Sequence, residues 1–209
     1  MVRPAAPDAG RGRFGRIDFQ LMLLRRMADY QPGLVEDKIR DLGFARSEVL
    51  AAHRRWQEIV RSRSFPGGMA RYRIVLGRPA RTLQRAVGDL SCEITQWELE
   101  LWPGLWFETI AVPGGAVAQD WLVRAGDCAA PELRTVADLR PWGCVVGEVE
   151  RRFGAVRHFG DEAPTRWSTE FTADGEPGRP GLPAGQPARY LARFTWGLLQ
   201  TVEELPADG

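Results

Sequence analysis

The sequence predicts an α+β protein: an antiparallel meander sheet of about five to six strands, with helices covering one face and an N-terminal three-helix block. Three observations predict it. In Asp89 to Arg124, DLSCEITQWELELWPGLWFETIAVPGGAVAQDWLVR, three alternating runs are separated by Pro103-Gly104 and Pro113-Gly114-Gly115, the pattern of a three-stranded meander. Ahead of it, apolar residues recur at helical spacing between breaks at Gln31-Pro32-Gly33, Gly43 and Phe65-Pro66-Gly67-Gly68. At 209 residues and 44% apolar content the chain can bury a core around such a sheet without a metal or a disulfide.

Residues 1–16, rich in Gly, Pro, Ala and Arg, have no periodicity and read as a flexible tail. Residues 17–64 read as a helical block packed on the sheet. Asp18 can cap a helix from Phe19 to about Tyr30. A second runs from Leu34 to Leu42 and stops at Gly43, and a third, Arg46 to Ser62, places Val49, Trp56 and Val60 on one stripe with Leu50, Ala52 and Ile59 beside it. Residues 65–209 read as the antiparallel core, one structural unit with the block. There Tyr72 to Leu76 is expected as a short strand, and Pro79 to Val87 as a helical turn. After the meander, a helix from about Cys144 puts Val145, Val149 and Phe153 on one face, Trp167 to Ala173 is a strand, and DGEPGRPGLPAGQP is a loop. Tyr190 to Val202 reads as one long strand, its even face broken only by Gln200.

The meander carries the chemistry the sequence hints at. With the shortest turns, Trp97 faces Ile110, Trp106 faces Trp121, and Glu108 sits between Leu99 and Gln119 on a tryptophan-rich face. A carboxylate there would lose hydration, which raises its pKa toward general acid or base work. A three-residue loop at Pro113-Gly114-Gly115 slips the register and sets Glu108 opposite Asp120. Glu98, Glu100 and Asp120 would line the other face as an acidic strip, but no metal-loop spacing accompanies them, so no metal is expected. Eight tryptophans are many for this length; Trp97, Trp102, Trp106, Trp121 and Trp196 fall in or beside strands and need acceptors such as Gln96, Gln119 and Gln200.

Other signals are weak. His53 and His158 have no motif partner, and the glycine clusters lack the strand and helix that a phosphate loop needs, so no cofactor is expected. Cys92, Cys128 and Cys144 form no spaced pair, which suits a reducing, cytoplasmic setting, and no apolar run approaches a membrane span. The net charge of +1 selects no polyanionic partner, and of 28 basic residues only Lys38 is lysine, a sign of coding bias. Residues 34–60 nonetheless match the spacing of a helix-turn-helix, against which stand Ile39 at the crossing and the acids Glu36, Asp37, Asp41 and Glu48. The leading expectation is therefore a non-enzymatic accessory protein binding a protein partner through the Trp-rich face (Trp97, Trp106, Gln119, Asp120, Trp121, Trp196) or an edge strand. The alternatives are a small-molecule-binding enzyme using Glu108 and, with nucleic acid disfavoured, a helix-turn-helix regulator.

Overall fold

Helix α1 (Arg16–Met27) starts one turn earlier than its sequence suggests, because Asp18 works from inside the first turn. Its carboxylate accepts a hydrogen bond from the Gly15 N–H at 2.9 Å, so Asp18 is the third helical residue and Gly15 the cap. Phe19, Leu21, Met22, Leu23, Leu24 and Met27 are all buried, and a helix apolar on nearly every side must lie at the centre of its neighbours. The computed structural model describes residues 13–154, 157–160, 165–174 and 187–206. The predicted N-terminal tail therefore lies mostly outside the described residues, as does the Gly/Pro-rich loop before residue 187.

The chain divides into two compact units at Pro79/Ala80. The first contains four helices, adding α2 (Pro32–Leu42), α3 (Arg46–Arg61) and α4 (Gly68–Leu76) to α1. Gly43, at φ 72°, ends α2 in the left-handed conformation that glycine adopts cheaply. Helix α3 buries Val49, Ala52 and Trp56, but the expected stripe is narrower than read, since Leu50 and Val60 are 43% and 41% exposed. Trp56 anchors an aromatic cluster, its ring centroid 5.7 Å from Phe14, 5.1 Å from Phe19 and 6.0 Å from Tyr72. Tyr72 to Leu76 is not a strand: it belongs to α4, whose buried Met69, Tyr72, Val75 and Leu76 follow helical spacing. Arg16 closes that helix by donating to the Leu76 carbonyl from Nε and Nη2, at 3.0 and 2.6 Å.

The second unit holds two antiparallel four-stranded sheets, where one sheet of five to six strands was predicted. The first sheet is β1 (Arg81–Val87), β2 (Leu90–Glu98), β3 (Leu105–Ala111) and β4 (Val117–Arg124), neighbours in that order. Pro79 to Val87, read as a helical turn, thus supplies an additional strand. The second sheet is β5 (Arg157–Gly160), β6 (Arg166–Asp174), β7 (Pro187–Thr195) and β8 (Leu198–Glu204). The predicted long final strand is a hairpin, β7 and β8, turned at Trp196-Gly197 with both residues at positive φ, 53° and 74°. Helix α5 (Val146–Phe153) lays Val146 and Val149 into a core with Phe171, Tyr190, Ala192, Phe194 and Leu199, so it covers the second sheet. The segment before α5 occupies the outer edge of β8: Trp142 N donates to Leu199 O, Leu199 N to Cys144 O and Val146 N to Gly197 O, at 2.8, 3.0 and 3.0 Å. The two sheets meet where Leu122 N donates to Trp196 O at 2.7 Å and Phe107 lies 6.1 Å from the Trp196 ring. Among the described residues no helix is long and apolar enough to cross a membrane.

Candidate functional site

Neither register expected for the meander is the one adopted, and the reason lies in its two connections. Between β2 and β3 the chain spends six residues, Leu99–Gly104, with Leu99, Leu101 and Trp102 turned inward as a buried plug. Those apolar residues read as strand in the sequence. The result is that Gln96, not Leu99, opposes Glu108, and Trp97 opposes Phe107. Between β3 and β4 the loop is the three-residue one, closed by Val112 N donating to Ala116 O at 2.9 Å. A bulge between Ile110 and Ala111 then shifts the pairing by one more residue, so Glu108 opposes Trp121 while Thr109 opposes Asp120. No carboxylate pair forms.

Glu108 consequently shares a face with Gln96, Trp106, Ile110, Gln119 and Trp121, whereas Trp97 and Asp120 lie on the opposite face. Glu98 opposes Trp106 on the Glu108 face, so the acidic strip of Glu98 with Asp120 is not assembled either. Trp97 is fully buried, and Trp196, 3% exposed, sits in the β7–β8 turn. Trp106, Gln119, Asp120 and Trp121 are half-buried. Glu108 itself is only 7% exposed, with both oxygens engaged: Oε2 accepts from Gln96 Nε2 at 2.6 Å and Oε1 from Trp121 Nε1 at 3.2 Å. The Trp121 ring in turn meets Trp167 of the second sheet at 6.1 Å. This arrangement ties three strands together through one carboxylate.

Similar polar clamps recur in the unit. Arg124, on β4, holds Glu148 of α5 with Nε to Oε1 at 2.8 Å and Nη2 to Oε2 at 3.2 Å, and that hydrogen bond raises the Arg124 pKa. Gln200, fully buried, accepts from Trp142 Nε1 at 3.2 Å and donates to Leu198 O at 2.8 Å. Burial, and then the Glu148 carboxylate, push the Cys144 thiol up to about 12 against the opposing pull of Arg124, which makes it a poor nucleophile at neutral pH. His158 on β5 meets Glu150 of α5 and Thr169 of β6, and burial followed by Arg26 and Arg25 lowers the pKa of His53 in the helical unit. Among the described residues no group of three His, Cys, Asp or Glu could hold a metal. A groove of about 250 Å³ is lined by Arg134, Arg152, Phe153, Thr172 and Asp174, of which the sequence singled out Phe153 alone, and only for its helix face.

The feature that sequence reasoning missed is the edge of the first sheet. Among the described residues β1 pairs only with β2, and six of its seven residues are exposed. Its far end carries the cross-strand pair Val87 and Leu90, 45% and 49% exposed, around the turn Gly88-Asp89. Arg81 and Arg85 project from one face of the strand, and neither guanidinium has a partner among the described residues. The signal was present: a Gly-Asp pair between the alternating runs RTLQRAV and LSCEITQWE is a two-residue hairpin turn.

No family model and no curated protein matches the chain. Among solved structures, a Streptococcus mutans chain ascribed to the beta-lactamase inhibitor proteins is 11% identical, over 70% of this chain and 88% of that one, at a TM-score of 0.27. A likeness of that size does not establish a shared fold.

Proposed function

We propose that the chain is a non-enzymatic binding protein whose second unit takes an extended segment of a protein partner along the open edge of β1. The observation that carries this reading is a seven-residue strand that pairs on one side only among the described residues and exposes six of its seven residues. Such an edge offers a row of backbone donors and acceptors to an incoming strand, and main-chain pairing supplies affinity before any side chain is read. Arg81 and Arg85, four residues apart on one face, favour a segment with two carboxylates four positions apart opposite them, and Val87 with Leu90 favours an apolar residue at its end. The enzyme alternative has less support, because both Glu108 oxygens are held by neutral donors within the sheet.

Selection of a random nine-residue peptide library on the immobilised full chain tests the proposal. Enriched peptides should place two acidic residues four positions apart among β-branched or aromatic residues, slow hydrogen exchange at the amides of β1, and bind at least about tenfold more weakly to the Arg81→Glu/Arg85→Glu variant. Peptides that protect other segments, or that bind the charge-reversed variant equally well, would overturn it.

A further inference from the structure

The division at Pro79/Ala80 exposes a charge separation that the net charge of +1 conceals. Residues 1–79 hold 16 Lys and Arg against 8 Asp and Glu, a net charge of +8, whereas residues 80–209 hold 12 against 19, a net charge of −7. A surplus of that size on a small helical unit attracts polyanions.

The surplus has a face to act from. Helix α3 is 16 residues long and buries one side through Val49, Ala52 and Trp56. Ser47, Arg54 and Arg61 recur every seventh residue on the other side, all exposed, with Arg46 and Leu50 flanking them. Arg54 and Arg61 have no partner among the described residues, and Arg46 meets Glu36 only across 3.7 Å with both side chains well exposed, a pair that a phosphate can displace. Most of the acids near the stripe are engaged. Glu48 caps its own helix by accepting from Ala45 N at 2.7 Å, Asp37 pairs with Arg40 at 2.7 Å and Asp18 lies 3.6 Å from Arg55, leaving Asp41 on α2 and Glu58 beside the basic stripe. Ile39 is buried, and it lines a groove of about 240 Å³ together with Arg25, Val35, Val49 and Leu50.

From this we infer that the first unit binds duplex DNA, with α3 lying in the major groove. An exposed helix carrying arginines at two-turn spacing fits the roughly 12 Å major groove of B-form DNA, and the deep, narrow major groove of A-form RNA excludes it. The site is independent of the β1 edge, so either reading can fail alone.

Fluorescence anisotropy of the full chain with a labelled 24-base-pair duplex, from 25 to 200 mM salt, tests the inference. Binding should weaken steeply, with a log–log slope of roughly −3 or steeper. The Arg54→Ala/Arg61→Ala variant should bind about tenfold more weakly and lose roughly two from that slope. Arg81→Glu/Arg85→Glu should bind DNA as the parent does, and far-ultraviolet circular dichroism should show all variants folded. No binding at 25 mM salt, an unchanged slope in the α3 variant, or equal affinity for duplex RNA would overturn the assignment.

Discussion

Glu108 shows how one side chain changes meaning with its register. Opposite Asp120 it would share a proton with a second carboxylate, and among tryptophans alone it would be a strained, desolvated acid. Opposite Trp121 and beside Gln96 it is an acceptor for two donors that would otherwise be left without a partner at this face. Removing it should therefore cost stability. Glu108→Leu leaves the Gln96 amide and the Trp121 indole N–H without their acceptor, at about 1–3 kcal/mol, and should lower the urea midpoint accordingly. Glu108→Gln keeps one acceptor oxygen and should lose less. A Glu108→Leu variant as stable as the parent would show that the carboxylate is not a structural clamp.

At the scale of elements, the Trp196-Gly197 turn joins the two sheets of the second unit. Gly197 stands at φ 74°, and an added Cβ would lie 2.9 Å from the Leu122 carbonyl oxygen and 3.0 Å from Trp121 Cβ. Substitution would meet both the left-handed penalty and rigid backbone. Gly197→Ala should cost at least about 3 kcal/mol, against about 1 kcal/mol for Gly88→Ala, which has φ 56° and open space around its Cβ. Equal urea midpoints for the two variants would refute the contact. The same turn marks where the sequence stops being legible. Strand identity in the meander could be read because Pro103-Gly104 and Pro113-Gly114-Gly115 punctuate it. The β7–β8 turn could not, since a tryptophan at positive φ is no ordinary turn signal, and alternation runs through it unbroken. Helix α4 was hidden for a related reason. Tyr72, Ile74 and Leu76 alternate, yet the residues that reach the core are Tyr72, Val75 and Leu76. Alternation reports strands only where both faces are not set by a wider context, and the bulge at Ile110/Ala111 left no trace in composition at all.

For the whole molecule the deciding quantity is where the charge sits. A protein with net charge +1 and a sequence pI of about 7.8 would, with its charge evenly mixed, pass through an ion exchanger near that pH with little retention. This chain instead gathers +8 on residues 1–79 and −7 on residues 80–209, and each unit is compact in its own right. A resin samples the local patch that touches it, because at 0.01 M salt the screening length is about 30 Å, comparable to one unit, and at 0.15 M it falls to about 8 Å. At pH 7.8 and low salt the full chain should therefore be retained on both a cation and an anion exchanger, and should leave both as the salt approaches physiological strength. Charge reversal at Arg54 and Arg61 should shorten retention on the cation exchanger and leave the anion exchanger at least as retentive, since the acidic unit is untouched. Passage through both columns at 0.01 M salt would mean that the two charges neutralise one another before either can meet a partner.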